Sequence, residues 1–155
     1  YRHILDSAQI IKYIDFKKDH ILSDLGSGAG LPGVILSIAN TNPNFHVKLY
    51  EKSPVKRAFL GDIKKITKFD IKKNIYDYKI IRSDYIVCRA FKKLDLIFDI
   101  SREKVKNPHK LIILKGKNAL NDLKKLPKDK NYRYKTFDSV TDKDSKIIIA
   151  TKNGK

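Results

Sequence analysis

Leu22 to Gly33, written LSDLGSGAGLPG, constrains this chain more than any other stretch. A short apolar run enters it, glycines recur at Gly26, Gly28 and Gly30, and Gly33 closes it. The apolar segment Val34 to Ala39 then leaves it as a helix. Strand, glycine turn and helix in that order form a nucleotide-binding crossover, because backbone approaches a ligand closely only where no Cβ intervenes. The helix N-terminus then offers unpaired N–H groups to a polar group placed there. The spacing is G-x-G-x-G, with Asp24 two residues before the first glycine. A dinucleotide fingerprint would have its third glycine where Leu31 stands. No G-x-x-x-x-G-K-[ST] phosphate loop is present, since Val34 follows Gly33. A plain turn in an α/β protein is the alternative to a small-molecule nucleotide site.

Glu51 supplies the context that favours the site. His46 to Glu51, HVKLYE, alternates apolar and polar residues after a Pro-Asn turn and reads as the second strand. An acid at its tip is placed to accept hydrogen bonds from two ribose hydroxyls, which adenine dinucleotides and S-adenosylmethionine both carry. A solvated surface glutamate is the competing reading.

The other elements follow from periodicity and caps. Ile4, Leu5, Ala8, Ile11 and Ile14 predict a helix over His3 to Ile14 lying against the sheet. His20 to Leu25 is the first strand. Ser53-Pro54 reads as an N-cap and first turn for a helix to about Ile66, its apolar side being Val55, Phe59, Leu60 and Ile63. Asn74 to Cys88 holds two strand-like pieces with a turn at Ser83-Asp84. A helix from Leu94 to Val105, a strand from Lys110 to Leu114 and a helix around Ala119 to Leu126 follow. Two final strands, Tyr132 to Phe137 and Lys146 to Thr151, pair antiparallel at an edge. Alternating strands and helices predict an open, mostly parallel sheet covered on both faces, with the glycine loop and Glu51 at its C-terminal edge. With 155 residues and no linker or repeat, one domain over 1–155 is expected.

Composition narrows the class. The lone Cys88 excludes a disulfide framework and a cysteine zinc site. No apolar run is long enough to span a bilayer and no signal peptide is visible, so a cytoplasmic protein is the default expectation. Lysine and arginine number 34 against 17 acids, a net charge of +17 spread along the chain. Such a surface attracts polyanions, RNA first among them, although codon bias toward lysine would produce the same composition. Lysine heavily outnumbers arginine, so the charge supports proximity to RNA and no base readout.

Four motifs carry a resemblance. DLGSGAGLPG, RHILDS at Arg2 to Ser7, CRAF at Cys88 to Phe91 and LKGKN at Leu114 to Asn118 span most of the chain in order. Together they resemble the bacterial 16S ribosomal RNA guanine-N7 methyltransferases, the glucose-inhibited division protein B family. The resemblance implies a Rossmann-like class I methyltransferase fold, S-adenosyl-L-methionine as cofactor, and 16S ribosomal RNA or the small ribosomal subunit as partner. The candidate cofactor residues are Gly26, Gly28, Gly30, Leu31 and Glu51, joined by Arg89, which the resemblance assigns to the cofactor site. A surface arginine on RNA phosphate is the alternative for Arg89. Lys115, at the tip of the fifth strand, is the candidate RNA contact. Guanine N7 already exposes a lone pair, so no general base and no metal are expected. Arg2 and His3 receive no catalytic role, and Asp6 is expected to cap or pair locally.

Two departures from the family stand out. Its members carry several tens of helical residues before RHILDS, and this sequence begins at Tyr1 rather than Met, so a piece of a longer protein with weak or no activity is expected. The family's valine-glutamate pair at the adenine does not align within 74–88. A nicotinamide-dependent oxidoreductase and a non-catalytic RNA-binding remnant are the rival readings.

If the lysine excess serves RNA, binding weakens steeply with salt through counterion release, and single Lys→Ala changes each cost little. A log–log plot of affinity against salt checks this; a slope near zero would mark the charge as compositional drift.

Overall fold

The computed structural model describes residues 1–154. Seven strands form one sheet: β1 (Ile21–Leu25), β2 (His46–Tyr50), β3 (Asp70–Lys72), β4 (Tyr85–Arg89), β5 (His109–Lys115), β6 (Tyr132–Asp138) and β7 (Lys146–Lys152). Their order is β3-β2-β1-β4-β5-β7-β6. All neighbours pair parallel except β7, which runs antiparallel to both β5 and β6. The chain winds outward from β1 to β3 and then returns to lay β4 beside β1. The β1–β4 junction is therefore the topological switch point, and the loops after these two strands open a crevice at the C-terminal edge.

The helices are α1 (Arg2–Ala8), α2 (Gly33–Ala39), α3 (Pro54–Ile63), α4 (Leu94–Lys104) and α5 (Ala119–Lys125). Because both faces of the inner strands are covered, their sequences are nearly continuous apolar runs, as in Leu111 to Leu114 of β5. One core layer gathers Ile10, Val34, Leu36, Leu49, Leu60 and Val87. The opposite layer gathers Ile86, Cys88, Ile97, Phe98, Ile113 and Ile148. Residues 86, 87 and 88 alternate between the layers, as a period-two strand requires.

Ser53 caps α3 as expected, accepting from the Lys56 N–H, with Pro54 in the first turn. Three local expectations are corrected. The first helix ends at Ala8, where Gln9 turns aside to bond Ser139 and the Val140 N–H; a 3-10 turn at Ile11–Tyr13 then follows. Burying Ile10 and Ile14 in this way leaves Ile4 and Leu5 exposed. On α3 only Leu60 is fully buried, while Val55 and Phe59 face solvent, so its inward stripe is narrower than the sequence implies. The third strand is Asp70–Lys72, upstream of the expected pieces, and Ile75–Asp77 is a 3-10 turn. Three partly buried residues at a sheet edge carry too little alternation to be read as a strand. The terminal pair is antiparallel as expected, but β7 lies inside the sheet and β6 alone forms the edge.

A buried polar knot ties α4 to the late strands. Ser101 Oγ lies 2.5 Å from His109 Nε2 and 2.5 Å from the Tyr132 hydroxyl. His109 Nδ1 faces the Asn107 carbonyl at 2.7 Å, so Nδ1 carries the proton and Nε2 accepts from Ser101. Burial lowers the His109 pKa, favouring this neutral form. Ser101→Ala would leave both partners unmet and should cost about 1–3 kcal/mol, read by urea denaturation. Because the folded state depresses this base, its contribution is present above the imidazole's unfolded pKa and is lost as pH falls from there through the lower folded pKa. His109→Gln should flatten that acid limb of the stability profile.

Candidate functional site

The glycine loop is held by hydrogen bonds to its own surroundings. Gly26 and Ser27 donate to the Tyr50 carbonyl at 2.9 and 3.1 Å, pinning the loop to the tip of β2. Gly30 donates to the Ser27 carbonyl, and Val34 to that of Gly30. The Gly28 N–H goes to Glu51 Oε2 at 2.8 Å, and the Ser53 N–H to Oε1 at 2.8 Å. Glu51 is 5% exposed, which removes the solvated-surface reading. Each of its oxygens keeps acceptor capacity for one hydroxyl.

Asp24 lies beneath the loop, fully buried. Its Oδ2 accepts from the Gly33 N–H at 2.8 Å, and its Oδ1 has no partner. The N–H that the sequence offers at the start of α2 is thus already committed. Burial raises the Asp24 pKa from 3.8 to about 7, opposed by the Gly33 bond and by the nearby Arg89 charge.

The glycines serve different ends. Gly26, Gly28 and Gly30 all have positive φ, at 69°, 58° and 95°. A Cβ at Gly28 would meet nothing closer than 3.9 Å, so the chain is open to a ligand there. At Gly30 it would strike Val34 at 2.4 Å, a packing role. At Gly26 it would strike the Phe91 ring at 2.1 Å. Phe91 is brought there by Ala90, whose φ of 49° turns the chain sharply after β4.

Two cavities adjoin across Ala90, Phe91 and Lys92, which line both. The first, of about 360 Å³, takes Gly26 and Glu51 together with Tyr50 and the segment Asn74 to Tyr76. The second, of about 400 Å³, takes Arg89 and Lys115 together with Arg2, His3 and Asp6. Leu31 is half-buried and, like Gly28 and Gly30, is not among the residues lining either cavity. Sequence reasoning missed Asn74 to Tyr76, where the only local signal is Asn74 capping the 3-10 turn by accepting from the Tyr76 N–H. It also left His3 and Arg2 without a role, because only the fold brings α1 to this edge.

Side chains in the second cavity are mutually held. Arg89 Nη1 is 2.7 Å from His3 Nδ1. A guanidinium only donates, so Nδ1 accepts and Nε2 carries the His3 proton. Lys115 Nζ pairs with Asp122 at 3.2 Å. Asp6 accepts from Thr141 and Gln9, tethering α1 to the β6–β7 turn as well as pairing locally. Arg2 reaches Asp142 in the same turn. Cys88 is buried, and desolvation pushes its thiol far above the usual range, so it is no nucleophile.

Asp24→Asn keeps an acceptor for Gly33 and removes the titration. A raised folded pKa means that wild type loses stability as pH climbs from about 4 to about 7, because the unfolded carboxyl ionises first. The variant's stability relative to wild type should rise across that window, by on the order of 4 kcal/mol, in denaturation series at several pH values.

A family description, "rRNA small subunit methyltransferase G", matches residues 1–148. Ribosomal RNA small subunit methyltransferase G of Pelagibacter ubique is 35% identical over 152 residues, covering 95% of this chain and 71% of that protein. Its counterpart in Rickettsia bellii is 38% identical over 151 residues, covering 95% and 75%. Among solved structures, M. jannaschii TYW2 in complex with AdoMet superposes with a TM-score of 0.69 at 13% identity, over 97% of this chain and 75% of that one. A SAM-dependent O-methyltransferase from Thermotoga maritima gives 0.69 at 19%, over 97% and 65%. The fold is therefore the Rossmann-like one of these methyltransferases, and the chain belongs to the ribosomal RNA small subunit methyltransferase G family.

Proposed function

We propose that the chain methylates small-subunit ribosomal RNA with S-adenosyl-L-methionine, at N7 of a guanine in 16S RNA, within one methyltransferase domain. One observation carries the choice of cofactor. The loop N–H groups of Gly28, Gly30 and Gly33 are committed internally, and two carboxylates, Asp24 and Glu51, are buried around the loop. A dinucleotide pyrophosphate needs free donors at the loop and the helix N-terminus, and these are already engaged. A sulfonium ligand makes no such demand on the loop donors, and the open space at Gly28 fits it. Family membership likewise leaves the oxidoreductase reading without support.

The cofactor supplies an activated methyl group on sulfur. Glu51 would hold the ribose hydroxyls with its remaining acceptor capacity, and Asn74 to Tyr76 would wall the adenine. The target base would enter the second cavity, where the paired His3 and Arg89 and the Asp122-held Lys115 orient it. His3 has its only lone pair toward Arg89, and Asp6 and Asp122 are engaged by neighbours. That cavity is thus poor in free bases, which suits attack by a lone pair already exposed on N7. No described helix is long and apolar enough to cross a membrane, and the cytoplasm, where ribosomal RNA is found, is the proposed location.

S-adenosylhomocysteine should bind in calorimetry, and Gly28→Val should weaken it more than tenfold by filling the open space. Unchanged affinity would overturn the cofactor assignment. Arg89→Ala should lower tritiated methyl incorporation into small-subunit RNA while the fold is kept. Cofactor binding without incorporation, even with ribosomal subunits supplied, would favour the RNA-binding remnant.

A further inference from the structure

We infer that the groove between α5 and the edge strand β6 receives single-stranded RNA flanking the target nucleotide, with Tyr134 as a stacking platform for an unpaired base. The inference rests on the RNA substrate proposed above. The groove, of about 530 Å³, is lined by Leu120, Leu123, Lys124, Tyr134 and Thr136, with Lys135 and Phe137 at its strand edge, the Phe137 ring turned to the opposite face onto Tyr13. Leu120 on α5 is 47% exposed and Tyr134 on β6 52%, so the apolar surface is open beside a strand that has no partner beyond β7 among the described residues. No carboxylate lines it.

Its place in the fold ties it to the second cavity. Because β7 is antiparallel to both β5 and β6, strand β6 runs parallel to β5 and ends at the same sheet edge as Lys115. Ser139, just after β6, and Asn118, just before α5, both line that cavity. One end of the groove therefore begins where the second cavity ends, which is where a strand continuing from a target nucleotide would lie.

The chemistry selects the occupant. An aromatic ring flanked by ammonium groups is how single strands are held without sequence readout, through stacking and phosphate contacts. A second copy of this chain would bring +17 against +17, and a neutral peptide would bury two ammonium groups without counter-charge.

The test uses a fluorescein-labelled single-stranded RNA of mixed sequence, about ten nucleotides long, titrated by anisotropy. Tyr134→Ala should weaken binding roughly 5- to 150-fold with the salt slope unchanged, while Tyr134→Phe stays close to wild type. Lys124→Ala and Lys135→Ala should each reduce the slope by about one. S-adenosylhomocysteine affinity should be unaffected by all four changes, which separates this inference from the cofactor reading. Wild-type RNA affinity in Tyr134→Ala would overturn it. So would an equal loss in Tyr134→Phe, or a Tyr134-dependent dimer in light scattering.

Discussion

The hydrogen bond from the Gly33 N–H to the buried Asp24 carboxylate is the contact on which the site depends. It joins the first residue of α2 to the strand beneath and so sets where the loop between them can run. A side chain at position 33 would place its Cβ 2.1 Å from Leu49 and 2.6 Å from Asp24 Oδ2, so the bond requires glycine. The arrangement costs stability, since a carboxylate held in a core with one oxygen unmet is destabilising unless it is neutral. A pKa near 7 is the physical consequence.

Glu51 completes the loop's anchorage from the neighbouring strand. By bridging the N–H groups of Gly28 and Ser53 it locks the loop to the entry of α3. The electrostatics of the molecule are therefore divided by depth. The surface carries the excess of lysine that draws polyanions from a distance, whereas the two acids around the loop are buried.

The turn at Ala90 to Lys92 is where those cavities meet. Its left-handed Ala90 is a local strain, offset by the Phe91 ring packing over Gly26. A loop glycine after β1 and an aromatic after β4 thus form one partition only because the switch point sets these strands side by side.

Much of this was legible in the sequence. Glycine spacing, the apolar runs of the inner strands, the Ser53-Pro54 cap and the acid at the tip of β2 are local signals, and each depends on backbone freedom or periodicity that neighbours in the chain determine. What escaped depends on contacts far apart in sequence. Gln9 ends α1 by reaching residues some 130 positions away, and β3 exists because a formed β2 edge pairs with three otherwise unremarkable residues. The His3–Arg89 pair, the mutual engagement of the bases in the second cavity and the open groove beside β6 likewise follow from strand order. By itself the sequence determined the loop, its acids and the class of fold. Only the tertiary structure decided which donors remain free and which side chains share a cavity, because hydrogen-bond partners and desolvation are properties of the packed chain.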